Sequence, residues 1–178
     1  MAKEDYATVL EYLPNGYPLE KKMMPIVQAI GKENFTLLEL VPRRGINIEI
    51  GEDVYIGEGR RDKVYYILGR LKRERLTESA KNQLQEIIVN RVKENEAKMV
   101  KFCNESSAIN KRLHLIELLP GLGKKHMNEI LKQREEKPFE SFKEMKERIP
   151  NLPDPEKAVE KRIFQELTQM EKYNLFTA

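Results

Sequence analysis

Leu118-Leu119-Pro120-Gly121-Leu122-Gly123-Lys124-Lys125 joins two apolar segments through a turn of a few residues, and it sets how the C-terminal third folds. Pro120 disfavours helical backbone at Leu119, so a preceding helix must end there. Gly121 and Gly123 can take positive φ at little steric cost, which lets the chain reverse quickly. Leu122 is too apolar for a solvated turn and is expected to plug the gap between the two helices. The next helix then starts at once, with its free amides pointing out of the turn.

Working outward, helical spacing predicts helices over Lys111–Leu119, Lys124–Glu136, Ser141–Ile149 and Pro155–Tyr173. Pro155 fits a first turn, where no amide donor is needed, with Asp154 as N-cap. Two copies of one helix-turn-helix unit result. The second turn, Pro150-Asn151-Leu152-Pro153-Asp154, has no glycine and carries an acid. It is read as structural. Upstream, Leu84, Ile87, Ile88 and Val92 share one stripe of a single long helix from Thr77 to Phe102. Thr77 is its N-cap, without a capping-box acid three residues on. A polar break, Asn104-Glu105-Ser106-Ser107, follows.

The first third alternates and turns instead. Tyr6–Leu13, Pro25–Ile30, Phe35–Val41, Ile46–Ile50, Asp53–Gly57 and Val64–Leu68 read as short strands separated by Gly and Pro. Such a set is expected to form a small antiparallel barrel, OB-like or SH3-like. The expected fold class is α+β: an OB-like β-barrel over 1–76, a linking helix over 77–107, and an all-α tandem hairpin domain over 108–178.

Composition limits the function. The 178 residues carry 40% apolar and 34% charged side chains, with no Trp. No apolar run reaches the roughly 18 residues a membrane span needs, and the acidic start does not resemble a signal peptide. The single cysteine, Cys103, can form neither an internal disulfide nor a thiolate cage. A cytoplasmic protein with no cofactor, no metal and no membrane partner is expected. His114 sits in an apolar stretch as a packing residue, and His126 is expected to be exposed. Neither histidine pairs with Cys103 or with an obvious acid, so no catalytic set emerges and no enzyme is expected.

Charge is local rather than global. Net charge is only +3, yet Arg60–Arg75 holds seven basic residues against Asp62 and Glu74. Arg43 and Arg44 follow Pro42 on one turn, and Arg61 and Lys63 occupy another. Tyr55, Tyr65 and Tyr66 lie nearby, and tyrosines interleaved with arginines suit stacked bases and phosphates. One of Tyr65 and Tyr66 should face outward, because adjacent strand residues point to opposite sides. At the hairpin, free helix amides, glycines without side chains and the cations Lys124 and Lys125 suit a phosphate. Two lysines at a helix N-terminus oppose its dipole, a local conflict of the kind functional sites tolerate.

The stretch Leu118–Lys125 resembles the helix-hairpin-helix motif of DNA-repair, competence and recombination proteins, and Ile130–Glu135 with Pro138–Phe142 resembles its tandem form. In such domains the hairpin amides and lysines hold the sugar-phosphate backbone without reading sequence. The resemblance carries that role to Gly121, Leu122, Gly123, Lys124 and Lys125. Phe35–Pro42, Val54–Gly57 and Arg112-Leu113-His114 extend a resemblance over nearly the whole chain to an archaeal family, domain of unknown function 655. That family is generally described as RNA-binding, so RNA is favoured over DNA as partner. The expected function is non-catalytic nucleic-acid binding, through the 120–125 hairpin and a second surface on the barrel. A protein partner held by the helical module, or a nuclease whose scattered acids converge, are the alternatives.

Overall fold

In the computed structural model, which describes residues 3–178, contacts divide the described residues into two compact units: 3–87 with 166–178, and 88–165. The boundaries fall inside two helices, so runs of secondary structure (1–76, 77–107, 108–178) and packed units are differently divided. The fold is mixed α+β.

The first unit is built on β1 (Tyr6–Leu13), β2 (Ile26–Gly31), β3 (Leu37–Pro42), β4 (Asp53–Tyr55) and β5 (Val64–Arg70). These form one curled antiparallel sheet in the order β4-β1-β2-β3-β5. Strands β4 and β5 are its edges and do not pair with each other, so a half-barrel replaces the expected barrel. Alternate residues Ala7, Val9, Val27, Ala29, Leu38 and Leu40 fill one face, joined by Ile48 and Ile56 from loops. The opposite face holds a buried polar set. Gln28 and Glu39 are register partners on β2 and β3. The Tyr17 hydroxyl donates to Glu39 (3.1 Å), and the Arg75 guanidinium lies 3.3 Å from that carboxylate and 4.3 Å over the Tyr17 ring. Burial pushes the Glu39 carboxyl above the usual carboxylate range.

Of the six strands expected, Ile46–Ile50 is not one. Gly45 (φ 73°) and Gly51 (φ 87°) bracket it in left-handed conformations, and only Ile48 is buried while Ile46 and Ile50 are exposed. The ladder positions beside β1 are taken instead by the following residues, with Gly51 N–H donating to Val9 (2.8 Å) and Val9 N–H to Glu52 (2.9 Å). The two left-handed glycines turn the segment off the ladder, so its alternation gives no strand.

The expected single helix over Thr77–Phe102 is two, α1 (Glu78–Glu94) and α2 (Glu96–Glu105). Thr77 caps the first, its hydroxyl accepting from Ala80 N–H at 3.0 Å. The break is Asn95 (φ −115°, ψ 31°), whose backbone N–H and side-chain amide both donate to the Arg91 carbonyl, at 3.1 and 2.9 Å. In the second unit the Arg134 guanidinium donates to the Cys103 and Ser106 carbonyls (3.2 and 2.8 Å), closing the C-terminal end of α2. Cys103 is buried there, and its thiol is pushed up to about 12 by that burial.

Lys111–Leu119 is not a helix either. It contains β7 (Leu113–His114), paired with β6 (Ala108–Asn110), and a short 3-10 turn over Leu115–Leu118. His114 and Glu117 start that turn by a reciprocal cap: His114 Nδ1 accepts from Ile116 N–H (3.1 Å), and the Glu117 carboxylate accepts from His114 N–H (2.8 Å). Of the next helices, α3 (Lys124–Glu136) has its expected span, α4 (Phe142–Arg148, capped by Ser141) lies one residue inside it at each end, and α5 (Pro155–Thr168) starts where expected. Helix α5 stops about five residues short of Tyr173. In the first unit, the Glu166 carboxylate accepts from Leu175, Phe176 and Thr177 amides at 2.6–3.2 Å and turns the tail back.

Candidate nucleic-acid interface

The Pro120–Lys125 turn sits between the 3-10 turn and α3. Leu119 is extended (φ −74°, ψ 124°), as a residue before proline should be. Gly121 alone takes positive φ (84°); Gly123 is extended and serves as the N-cap of α3, without a side-chain cap. Leu122 is only 5% exposed, and its N–H donates to the Leu119 carbonyl at 3.1 Å. The first turn of α3 holds no acid, and a Cβ placed at Gly121 or Gly123 meets nothing within 4 Å. Lys124 and Lys125 are exposed on that turn. The backbone is therefore open to a ligand from outside, with free amides and two cations at one place. His126 is half-buried rather than exposed, and its Nδ1 is enclosed without a hydrogen-bond partner among the described residues.

Thirty residues on, the second turn repeats this path with other residues. Asn151 takes the left-handed position (φ 63°), Leu152 is 9% exposed, and its N–H reaches the Ile149 carbonyl at 3.3 Å. Its helix is closed by its own acid: Asp154 accepts from the amides of Glu156 and Lys157 at 3.0 and 3.4 Å. The shared Pro-x-Leu of Pro120-Gly121-Leu122 and Pro150-Asn151-Leu152 was the sequence signal for this likeness.

In the first unit the expected basic surface is split. Arg43 and Arg44 line a cavity of about 720 Å³ with Tyr65, Tyr66, Met23, Met24 and Ile46. Arg43 is held in place, its backbone N–H donating to the Lys63 carbonyl and its Nε to the Arg61 carbonyl, both at 2.8 Å. Its guanidinium carbon stands 6.0 Å from the Tyr65 ring centre. Arg61 points its Nε to the Gly57 carbonyl (2.8 Å), and Lys63 is paired with Glu52 at 2.6 Å, so both brace loops instead of lining this groove. Arg70, Lys72 and Arg73 border a different cavity, and Arg75 belongs to the buried polar set. Contrary to strict alternation, Tyr65 and Tyr66 are both open, 63% and 37% exposed, because β5 is an edge strand little covered on either side. Tyr55 packs edge-on to Tyr6 and donates no surface to the groove. Met23, Met24 and Ile46 carried no sequence signal, since they approach Tyr65 only through folding.

Comparison with known proteins adds a family. The model of the protein family of unknown function DUF655 matches residues 3–178. The chain belongs to the DUF655 family. An uncharacterised protein of Methanocaldococcus jannaschii, MJ0038, is 46% identical over 175 residues, which cover 97% of this chain and 79% of that protein. The crystal structure of Af1531 from Archaeoglobus fulgidus, also assigned to DUF655, is similar at a TM-score of 0.84 and 43% identity. The likeness covers 98% of this chain and all of that one. The α+β architecture is thus shared with an experimentally solved DUF655 member. Among the described residues no helix is long and apolar enough to cross a membrane, and no three His, Cys, Asp or Glu side chains gather as metal ligands would.

Proposed function

We propose that this DUF655 protein is a non-catalytic nucleic-acid binder that holds backbone phosphates at Gly121, Leu122, Gly123, Lys124 and Lys125, with a second contact at Arg43 and Arg44. In this reading Pro120–Lys125 is the tip of a helix-hairpin-helix whose first helix is reduced to a 3-10 turn. The curled sheet is the OB-like part. RNA is the preferred partner, as the family resemblance implies. The observation that carries the proposal is the contrast between two like turns: α3 begins without a cap or an acid and beside two lysines, whereas α5 satisfies its own amides through Asp154. An uncapped helix start with glycine backbone and adjacent cations suits a phosphate oxygen.

The test is Lys124→Glu with Lys125→Glu. Both side chains are exposed, so the circular dichroism and melting of the protein should hold. RNA affinity at low salt should fall on the order of tenfold to a hundredfold, and the dependence of log K on log salt should flatten by about two. Unchanged affinity and slope would remove the hairpin from the binding surface.

A further inference from the structure

The groove beside β5 combines features that a backbone contact does not require. Its walls include two arginines and no acid, so an anion is the ligand its charge complements. Arg43 is anchored by the Arg61 carbonyl, while Arg44 is exposed with no ion pair or hydrogen bond among the described residues. Arg44 is therefore the cation of the pair left open to a ligand. The remaining lining is apolar or aromatic: Met23, Met24 and Ile46 beside Tyr65 and Tyr66. Tyr66 is tethered, its hydroxyl donating to Met24 Sδ at 3.5 Å and its ring meeting Tyr65 edge to face at 5.4 Å. Tyr65 keeps an exposed ring, and its hydroxyl has no partner among the described residues. A phosphate alone would use the arginines and leave this apolar wall wet.

We propose that the groove accepts an unpaired nucleotide, with its base stacked on the Tyr65 ring against Met23 and Ile46 and its phosphate on Arg44. The proposal rests on the nucleic-acid reading above and narrows it to a ligand with a single-stranded segment. Bases inside a duplex already stack on one another and offer no face to a side chain, whereas a splayed base does. Every base has such a face, so this contact selects unpaired over paired nucleotides without choosing a sequence.

The experiment compares one RNA oligonucleotide, single-stranded and annealed to its complement, on the full chain and three variants. Tyr65→Ala should lower affinity for the single strand about tenfold and leave duplex affinity within about twofold. Tyr65→Trp should restore single-strand binding. The chain has no other tryptophan, so its emission should be quenched by the single strand and not by the duplex. Lys124→Glu with Lys125→Glu should weaken both forms. Loss of duplex and single-strand affinity together in Tyr65→Ala would overturn the proposal, as would no loss of either. So would poly-glutamate displacing the single strand from wild type as well as unlabelled RNA does, since only charge would then be recognised. If Tyr65→Ala acts as expected while the lysine pair has no effect, the groove stands and the hairpin reading falls. The reverse pattern removes the groove and keeps the hairpin.

Discussion

The two turns of the second unit follow nearly one path and differ in what closes the helix after them. Pro120-Gly121-Leu122 and Pro150-Asn151-Leu152 each place a left-handed residue next to a buried leucine whose amide reaches back to the residue before the proline. Beyond the leucine they part. Gly123 leaves the amides of α3 open, and Asp154 fills those of α5. The shared part is packing, which both copies need. The unshared part is what the proposed phosphate contact depends on. A carboxylate at a helix N-terminus occupies the donors a phosphate would use and repels it as well.

The largest effect should fall on the shared part. Leu122→Ala and Leu152→Ala should each destabilise the protein by about 2–4 kcal/mol, because each removes a buried plug that its surroundings cannot fully refill. Chemical denaturation measures both. A cost near zero for either would mean that the two turns are not packed alike. Exchanging the caps probes the unshared part. Asp154→Ala should cost about 1 kcal/mol of stability, without changing RNA affinity. Gly123→Asp should gain a few tenths of a kcal/mol and weaken RNA binding about tenfold, since Gly123 is extended, has room for a side chain and would acquire a competing carboxylate. RNA binding that survives Gly123→Asp would make the open amides irrelevant.

The smallest effect distinguishes how the chain enters each turn. Only the first is preceded by a histidine cap, and burial, then the Arg134 charge, hold His114 below its ordinary value of 6.5 against the pull of Glu117. The neutral ring is the acceptor for Ile116 N–H. A base with a depressed folded pKa binds fewer protons when folded, so its contribution is complete above about pH 6.5 and is lost as pH falls through the folded value. Hydrogen exchange at the Ile116 amide should therefore show declining protection below that pH, with the Leu152 amide less affected. Equal pH response at both amides would assign the effect to general acid destabilisation.

Much of this was legible beforehand, for local reasons. Pro120, the glycines and the lysines mark the turn, and Ser141, Asp154 and Pro155 mark the starts of α4 and α5, because capping and backbone preference act within a few residues. The failures have local causes too. Ile46–Ile50 alternates like a strand, but Gly45 and Gly51 turn the chain away from β1 on both sides of it. Lys111–Leu119 has helical spacing, but His114 and Glu117 satisfy the backbone in a shorter turn. Asn95 bends the long helix through its own non-helical backbone (φ −115°, ψ 31°), which its sequence position did not signal.

The sequence by itself determined the tight glycine turn after Pro120, the buried Leu122, the starts of α3, α4 and α5 and the paired lysines at the start of α3, because those preferences act within a few residues. Tertiary structure alone decided which basic residues share a surface. Arg43 and Arg44 line one groove with Tyr65, Arg61 lines another cavity, and Lys63, equally basic in sequence, is met by the Glu52 carboxylate. Charge is a property of the residue. Where that charge points, and whether a carboxylate meets it, depends on which polar groups folding brings within hydrogen-bond reach, and those partners here lie 4 to 18 residues away along the chain.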